Sequence, residues 1–341
     1  MDIDLPLELR SAIENLVGPS KRVIEAVREM SGRYRAGEGT CLESETDTYA
    51  YAAYRMPATY AAIYAALEQV RSLLPRWSPR SLLDVGAGPG TAMWAALTLW
   101  PDITKVDLVE PNQRMVKLGK QLAARSPYEA IRRARWLRAD AESIPQGPKY
   151  DLVVMAYVMG EMDERRPKVV ERLWGRTGGL LVLVEPGTPA GFRLIRADRE
   201  RLLALGAKVV APCPHGETCP VEENDWCHFS QRIARSSLQR KVKSGELPYE
   251  DEKFSYIVAS REEVPKPVSG RIIRHPHIKP GHIIFQVCTP RGIERVVISR
   301  KDKDLFRQAR DARWGSLLPE KAGLRHDRQE GRGDEGLDPE E

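Results

Sequence analysis

From Ser81 the chain settles into a rhythm of short, nearly unbroken apolar runs separated by amphipathic stretches. The runs are SLLDVG (81–86), KVDLVEPN (105–112), ARWLRADAES (134–143), YDLVVMAYVM (150–159) and GLLVLVEPG (179–187). TAMWAALTLW and QRMVKLGKQLAARS, which lie between the first three, read as helices. Strands covered on both faces lose the apolar–polar alternation, so this pattern predicts βαβ units around a buried parallel sheet. Residues 1–77 differ. Val23, Ile24, Val27 and Met30 recur at helical spacing, and residues 48–74 are Ala-rich with recurrent Tyr and Leu. That region is expected to be all-helical, with Pro57 breaking or beginning a helix inside it.

After a helix over 191–206 the rhythm is interrupted by a Cys- and Pro-rich stretch. Strand-like pieces follow in FSYIVAS (254–260), RIIRHPHIKPGHIIFQVCT (271–289) and GIERVVISR (292–300), and KDLFRQARDARWGSLLP (303–319) ends in a helix. The last residues are charged, Gly-rich and poor in large apolar groups, which predicts disorder. The expected organisation is a helical region (1–77), a Rossmann-like core (78–210), a cysteine insert with C-terminal strands and a basic face (211–318), and a charged tail (319–341).

Composition narrows the class. The chain is 42% hydrophobic and 30% charged, and none of its apolar runs reaches the roughly 18–20 residues that span a bilayer. MDIDLPLELR is acidic, without the features of a signal or transit peptide, so the expectation is a cytoplasmic protein with no membrane partner, monomeric when free. Residues 231–315 carry 19 Lys and Arg against 10 Asp and Glu within a chain of net charge +5. That excess suits a polyanion, nucleic acid first, or an ordinary solvated surface.

The loop LLDVGAGPGT sets Gly86, Gly88 and Gly90 between a strand and a helix, and Glu110 ends the next strand. Glycines let a ligand approach the backbone, and a carboxylate at that position accepts hydrogen bonds from ribose hydroxyls. G-x-G-x-G, with Pro89 removing a backbone donor, departs from the dinucleotide pattern and resembles the class I S-adenosylmethionine-dependent methyltransferases. The resemblance implies that Asp84, Gly86, Ala87, Gly88 and Gly90 form the cofactor loop and that Glu110 holds the ribose. It further implies that Asp140 and Ala141 lie along the adenine, and that Ala156 opens the segment where substrate and methyl group meet. That segment reads Ala156-Tyr157-Val158-Met159, without the Asn/Asp-Pro-Pro-Tyr/Phe element of amino-group methylases. No cysteine lies between Cys41 and Cys213 to serve as a nucleophile. Glu161 or Asp163 could act as a base, or be a solvated carboxylate at a helix start.

CPHGETCPVEENDWCHF holds three of the five cysteines at C-x5-C-x7-C spacing. Too few and odd in number for a disulfide framework, they invite three readings. Buried structural thiols explain a polar loop poorly. Zinc, with His215 or His228 completing the set, prefers C-x2-4-C knuckles. An iron–sulfur cube tolerates looser spacing, with Cys288 in IIFQVCTP as its natural fourth ligand. Cys41 is left as a free or structural thiol.

The same segment, with YRMPATYAA, LVLVEPGTPAGF and ARDARWGSLLP, resembles the methyltransferase-like proteins associated with the mitochondrial ribosomal small subunit and their bacterial and archaeal relatives. The match covers most of residues 20–318 in the same order. It implies that Cys213, Cys219, Cys227 and Cys288 hold a [4Fe–4S] cluster, and that the partner is the small ribosomal subunit and its rRNA. Arg232, Arg235, Arg240, Lys241 and Lys243 follow the cysteine loop, and Arg271, Arg274 and Lys279 come later in the basic half. These are the candidate phosphate contacts. Three functions stay open: an rRNA methyltransferase, a non-catalytic assembly factor, and a zinc-containing small-molecule methyltransferase.

Overall fold

A computed structural model describes residues 3–18, 20–36, 42–144, 146–235, 249–264 and 270–318. Three helices precede the first strand: α1 (Leu7–Val17), α2 (Lys21–Ala36) and α3 (Glu45–Leu73). An eight-stranded sheet follows, built from β1 (Ser81–Val85), β2 (Lys105–Val109), β3 (Arg135–Leu137), β4 (Tyr150–Ala156), β5 (Thr177–Pro186), β6 (Lys208–Ala211), β7 (Phe229–Ala234) and β8 (Tyr249–Ser260). Its order is β3-β2-β1-β4-β5-β8-β6, with β7 also paired to β8. β1 to β5 run parallel, whereas β8 lies antiparallel between β5 and β6. This is an α/β Rossmann-like fold with a mostly parallel central sheet. Helices α4 (Thr91–Leu99), α5 (Gln113–Ala123), α6 (Glu129–Arg132), α7 (Arg166–Arg176) and α8 (Pro189–Ala204) are the crossovers.

The apolar runs divide by parity. Leu82, Leu152, Val154, Val182 and Val258 pack with α3 and α4 on one face, and Leu83, Val153, Met155, Leu181 and Ile257 pack with α7 and α8 on the other. Successive residues of a strand point to opposite faces, so each run feeds two cores at once. A second sheet, β9 (Arg271–Ile272), β10 (His277–Lys279), β11 (His282–Thr289) and β12 (Gly292–Ser299), carries α9 (Lys303–Arg310) against its own small core of Ile272, Ile283, Phe285, Val287, Val296 and Ile298. Among the described residues no helix is long and apolar enough to cross a membrane.

Two expectations are corrected. Pro57 neither breaks nor begins a helix, because α3 runs through it from a Ser44–Asp47 capping box to Leu73. The cost of an interior proline, about 3 kcal/mol, is offset by burial of α3 along most of its length, and the Thr59 hydroxyl donates to the carbonyls of Arg55 and Met56. The boundary at 210 also falls in the wrong place. β7 and β8 belong to the main sheet, so the core continues to Ser260.

Helix α3 is joined to β8 by a buried ion pair. Arg55 donates through both terminal nitrogens to Glu252, at 3.3 and 3.2 Å, and the side chains are 6% and 9% exposed. The Tyr157 hydroxyl donates to the same carboxylate at 2.9 Å. Removing one partner strands a buried charge, so Arg55→Met is expected to cost about 3–5 kcal/mol in urea unfolding. Arg55→Met with Glu252→Leu should recover most of that loss, and a double variant as unstable as the single one would refute the account.

Candidate functional site

The glycine loop lies at the C-terminal ends of β1 and β4, where the strand order reverses and α/β sheets open a ligand crevice. Gly86, Gly88 and Gly90 have φ of 66°, 53° and 87°, the left-handed region open to glycine. The Gly86 and Ala87 N–H groups donate to the Val109 carbonyl at 2.9 and 3.1 Å, which curls the loop over the end of β2. A Cβ on Gly86 would lie 2.4 Å from Val158 Cγ2. Glu110 faces this loop: its Oε2 accepts from Gly88 N–H and its Oε1 from Asn112 N–H, both at 2.8 Å.

The charge around the loop is almost entirely negative. Asp84 is 2% exposed, its Oδ2 has no hydrogen-bond partner among the described residues, and burial holds its carboxyl up at about 7. Burial also raises Glu110, and the charges of Glu161 and Asp140 push it further. Glu161 is raised by burial alone, while the side chain of Asp163 lies outside the described residues. Ala141 begins a short 3-10 turn with Asp140 at its N-cap. Ala156 closes β4 and hands over to Tyr157, a non-glycine residue at φ 61°. Glu185 fixes the next turn, accepting the Val158 and Met159 N–H groups on one oxygen at 3.0 and 2.9 Å. Asp84, the glycine loop, Glu110 and Ala156 thus lie at the C-terminal ends of β1, β2 and β4, with Asp140 close enough to raise the Glu110 carboxyl. Tyr157, Arg55, Glu252 and Glu185 also belong there, although nothing local in the sequence marked them.

The cysteine loop leaves the sheet between β6 and β7, which both pair with the same edge of β8. Cys213, Cys219 and Cys227 from this loop and Cys288 from β11 line one cavity of about 30 Å³, walled by Phe192, Ile195, Phe229, Tyr256, Ile257 and Ile273. Burial raises the Cys213 and Cys227 thiols and pushes Cys288 up to about 12, with Cys213 and Cys219 adding to the last two. Among the described residues, no group of three or more His, Cys, Asp or Glu is gathered for a single metal ion. His215 Nε2 lies 3.5 Å from Cys288 Sγ. His228 turns away from the cavity, between the rings of Trp226 and Trp314. The Ser255 hydroxyl donates to the Cys227 carbonyl at 2.8 Å, which ties the loop to β8.

The expected cationic face is corrected. Arg271 is 2% exposed and spends its guanidinium on the Pro212 and Gly315 carbonyls and on Gln69. Arg232 forks onto Asp251 at 2.8 and 3.0 Å, Arg235 lies 3.7 Å from Glu250, and Arg274 pairs with Asp225. Arg232, Arg235 and Arg274 are thus countered by carboxylates of the protein, while Arg271 is buried on neutral acceptors. Arg240, Lys241 and Lys243 lie outside the described residues.

A family model described as mitochondrial small ribosomal subunit Rsm22 matches residues 45–319. The chain belongs to that family. It is 32% identical over 289 residues to the human protein named ribosome assembly protein METTL17, mitochondrial, covering 79% of this chain and 62% of that one. It is 28% identical over 335 residues to the Rsm22-cox11 tandem protein 2, mitochondrial, of Schizosaccharomyces pombe, covering 83% and 44%. The chain thus spans less than two thirds of these relatives' length. Among solved structures, the magnesium protoporphyrin IX methyltransferase of Synechocystis PCC 6803 is similar at 15% identity and a TM-score of 0.39, covering 70% of this chain and 97% of that one. The cytoplasmic location expected from sequence is overturned, because these relatives are named mitochondrial proteins. Compartment is specified by targeting segments separate from the folded core, so core composition does not register it.

Glu185 provides a pH test. Its carboxyl sits at about 7 in the folded protein against an ordinary 4.5, because it is buried. The folded state keeps a proton that the unfolded chain has released, so stability falls as pH rises through that window and levels off above it. Glu185→Gln retains the single accepting oxygen. The variant should show a flatter stability–pH curve between those values and gain about 2–3 kcal/mol over wild type at pH 8; parallel curves would remove Glu185 from the account.

Proposed function

We propose that this protein is an S-adenosylmethionine-binding, [4Fe–4S]-containing assembly factor of the small ribosomal subunit that works by binding its rRNA. The observation that carries this reading is the single apolar cavity reached by Cys213, Cys219, Cys227 and Cys288 from two separate parts of the chain. Zinc draws four thiolates to about 2.3 Å from one ion, whereas an iron–sulfur cube spreads them over four irons. Four thiols around one cavity supply the number of ligands that the cube takes. The cluster would pin the loop after β6 to β11, and with four thiolate ligands it leaves no iron open for substrate.

The glycine crevice fits the other cofactor. The sulfonium and ammonium groups of S-adenosylmethionine suit a region where burial raises the carboxyls of Asp84, Glu110 and Glu161. Glu110 would accept the ribose hydroxyls, with Asp140 and Ala141 beside the adenine. When bound, the cofactor supplies an electrophilic methyl group. A second reading, methyl transfer to rRNA, is favoured by Glu161, a raised carboxyl near the end of β4 that could take a proton from a nucleophile.

Phosphate contact falls to the second sheet and α9. Lys279, Arg295, Arg300, Lys301, Lys303 and Arg310 are exposed there and make no ion pair among the described residues. Protein prepared without oxygen should be brown and hold about four irons, and Cys288→Ser should lose most of them; an iron content unchanged by that substitution would remove Cys288 from the ligand set. Arg295→Glu with Lys303→Glu should weaken binding to small-subunit rRNA and lower its salt slope by about 2, while equal binding by both proteins would place the RNA elsewhere. Labelled S-adenosylmethionine incubated with immature subunits separates the two readings, since methyl incorporation requires the second.

A further inference from the structure

Two arginines are buried beside the cysteine cavity. Arg271, at the start of β9, donates Nε to the Pro212 carbonyl at 2.9 Å and one terminal nitrogen to Gln69 Oε1 and the Gly315 carbonyl at 2.5 and 2.6 Å. All three acceptors are neutral, and among the described residues no carboxylate reaches this guanidinium. Arg199, on α8 and also 2% exposed, donates to the carbonyls of His215 and Glu217 at 3.1 and 2.5 Å. Among the described residues its Nε has no hydrogen-bond partner, and the one acid paired with it, Glu200, is a half-exposed residue 2.6 Å away. Both guanidinium charges draw the Cys213 and Cys288 thiols downward against the effect of burial.

A guanidinium cannot escape burial by losing its proton, and an uncompensated charge in a protein interior costs several kcal/mol. Neutral thiols offer no compensation. A [4Fe–4S] core of charge 2+ held by four thiolates carries a net charge of about −2, which two arginines balance. We propose that Arg199 and Arg271 are the counter-charges of the thiolate-bound cluster, positioning residues that retain it in the cavity and favour its one-electron reduction. The inference rests on the cluster reading above. On reduction the core accepts one electron from an external reductant and its negative charge grows by one. The neighbouring cations stabilise that form more than the oxidised one, and they resist release of the cluster in either.

The test uses the full chain, reconstituted without oxygen, as wild type, Arg199→Gln, Arg271→Gln and Arg271→Lys. Iron content is measured first, then the midpoint potential by dithionite titration followed by electron paramagnetic resonance, and the rate of iron loss to a chelator. Both Gln variants should show a more negative potential and about tenfold faster iron loss, and Arg271→Lys should stay near wild type because it keeps the charge. If Arg271→Gln does not fold, Arg199→Gln carries the comparison. Iron-loaded Gln variants with unchanged potential and release overturn the inference alone. Wild-type protein that takes up no iron overturns the cluster reading beneath it.

Discussion

The antiparallel strand β8 is the constraint on which the rest of the structure depends. Buried in the sheet, it must satisfy hydrogen-bonding groups on both edges, and one edge is taken by β5. The other edge is shared end to end by β6 and β7. The chain between those two strands cannot lie in the sheet, so it leaves as the loop that carries three cysteines. Further along, β8 presents Glu252 to Arg55 and Tyr157, and Ser255 to the Cys227 carbonyl. One strand therefore borders both the region of the glycine loop and the cysteine cavity.

The two sites are electrostatic opposites. The crevice gathers carboxylates that burial and mutual repulsion push toward neutrality, an environment that favours a cationic ligand. The cavity gathers thiols with arginines behind them, an environment that favours an anionic complex. Neither arrangement lowers the energy of the protein alone. Each stores a cost that a ligand of the right charge removes, which is the usual mark of a binding site.

Much of the fold was legible because its signals are local. The five apolar runs became β1 to β5, and the glycine loop sits at the crevice with the left-handed backbone that only glycine adopts readily. Glu110 drew attention as a carboxylate at the end of the second strand, where the structure sets it against the Gly88 N–H, and the loop cysteines by their scarcity. The reading of Pro57 failed because propensity is a local average, and α3 is stabilised by burial that no local average contains.

The sequence by itself determined the first five strands with the helices between them, the glycine loop and the cysteine-rich stretch, since period, glycine and thiol carry their meaning wherever they sit. The tertiary structure decided which charges are free. Arg271 and Arg295 look alike in a basic stretch, yet one is enclosed beside the cysteine cavity and the other faces water. Arg55 meets Glu252 across 197 residues and Arg271 meets Gln69 across 202, partnerships that exist only after the sheet has closed. The role of a charge depends on its solvent and its neighbours, and both are properties of the folded chain.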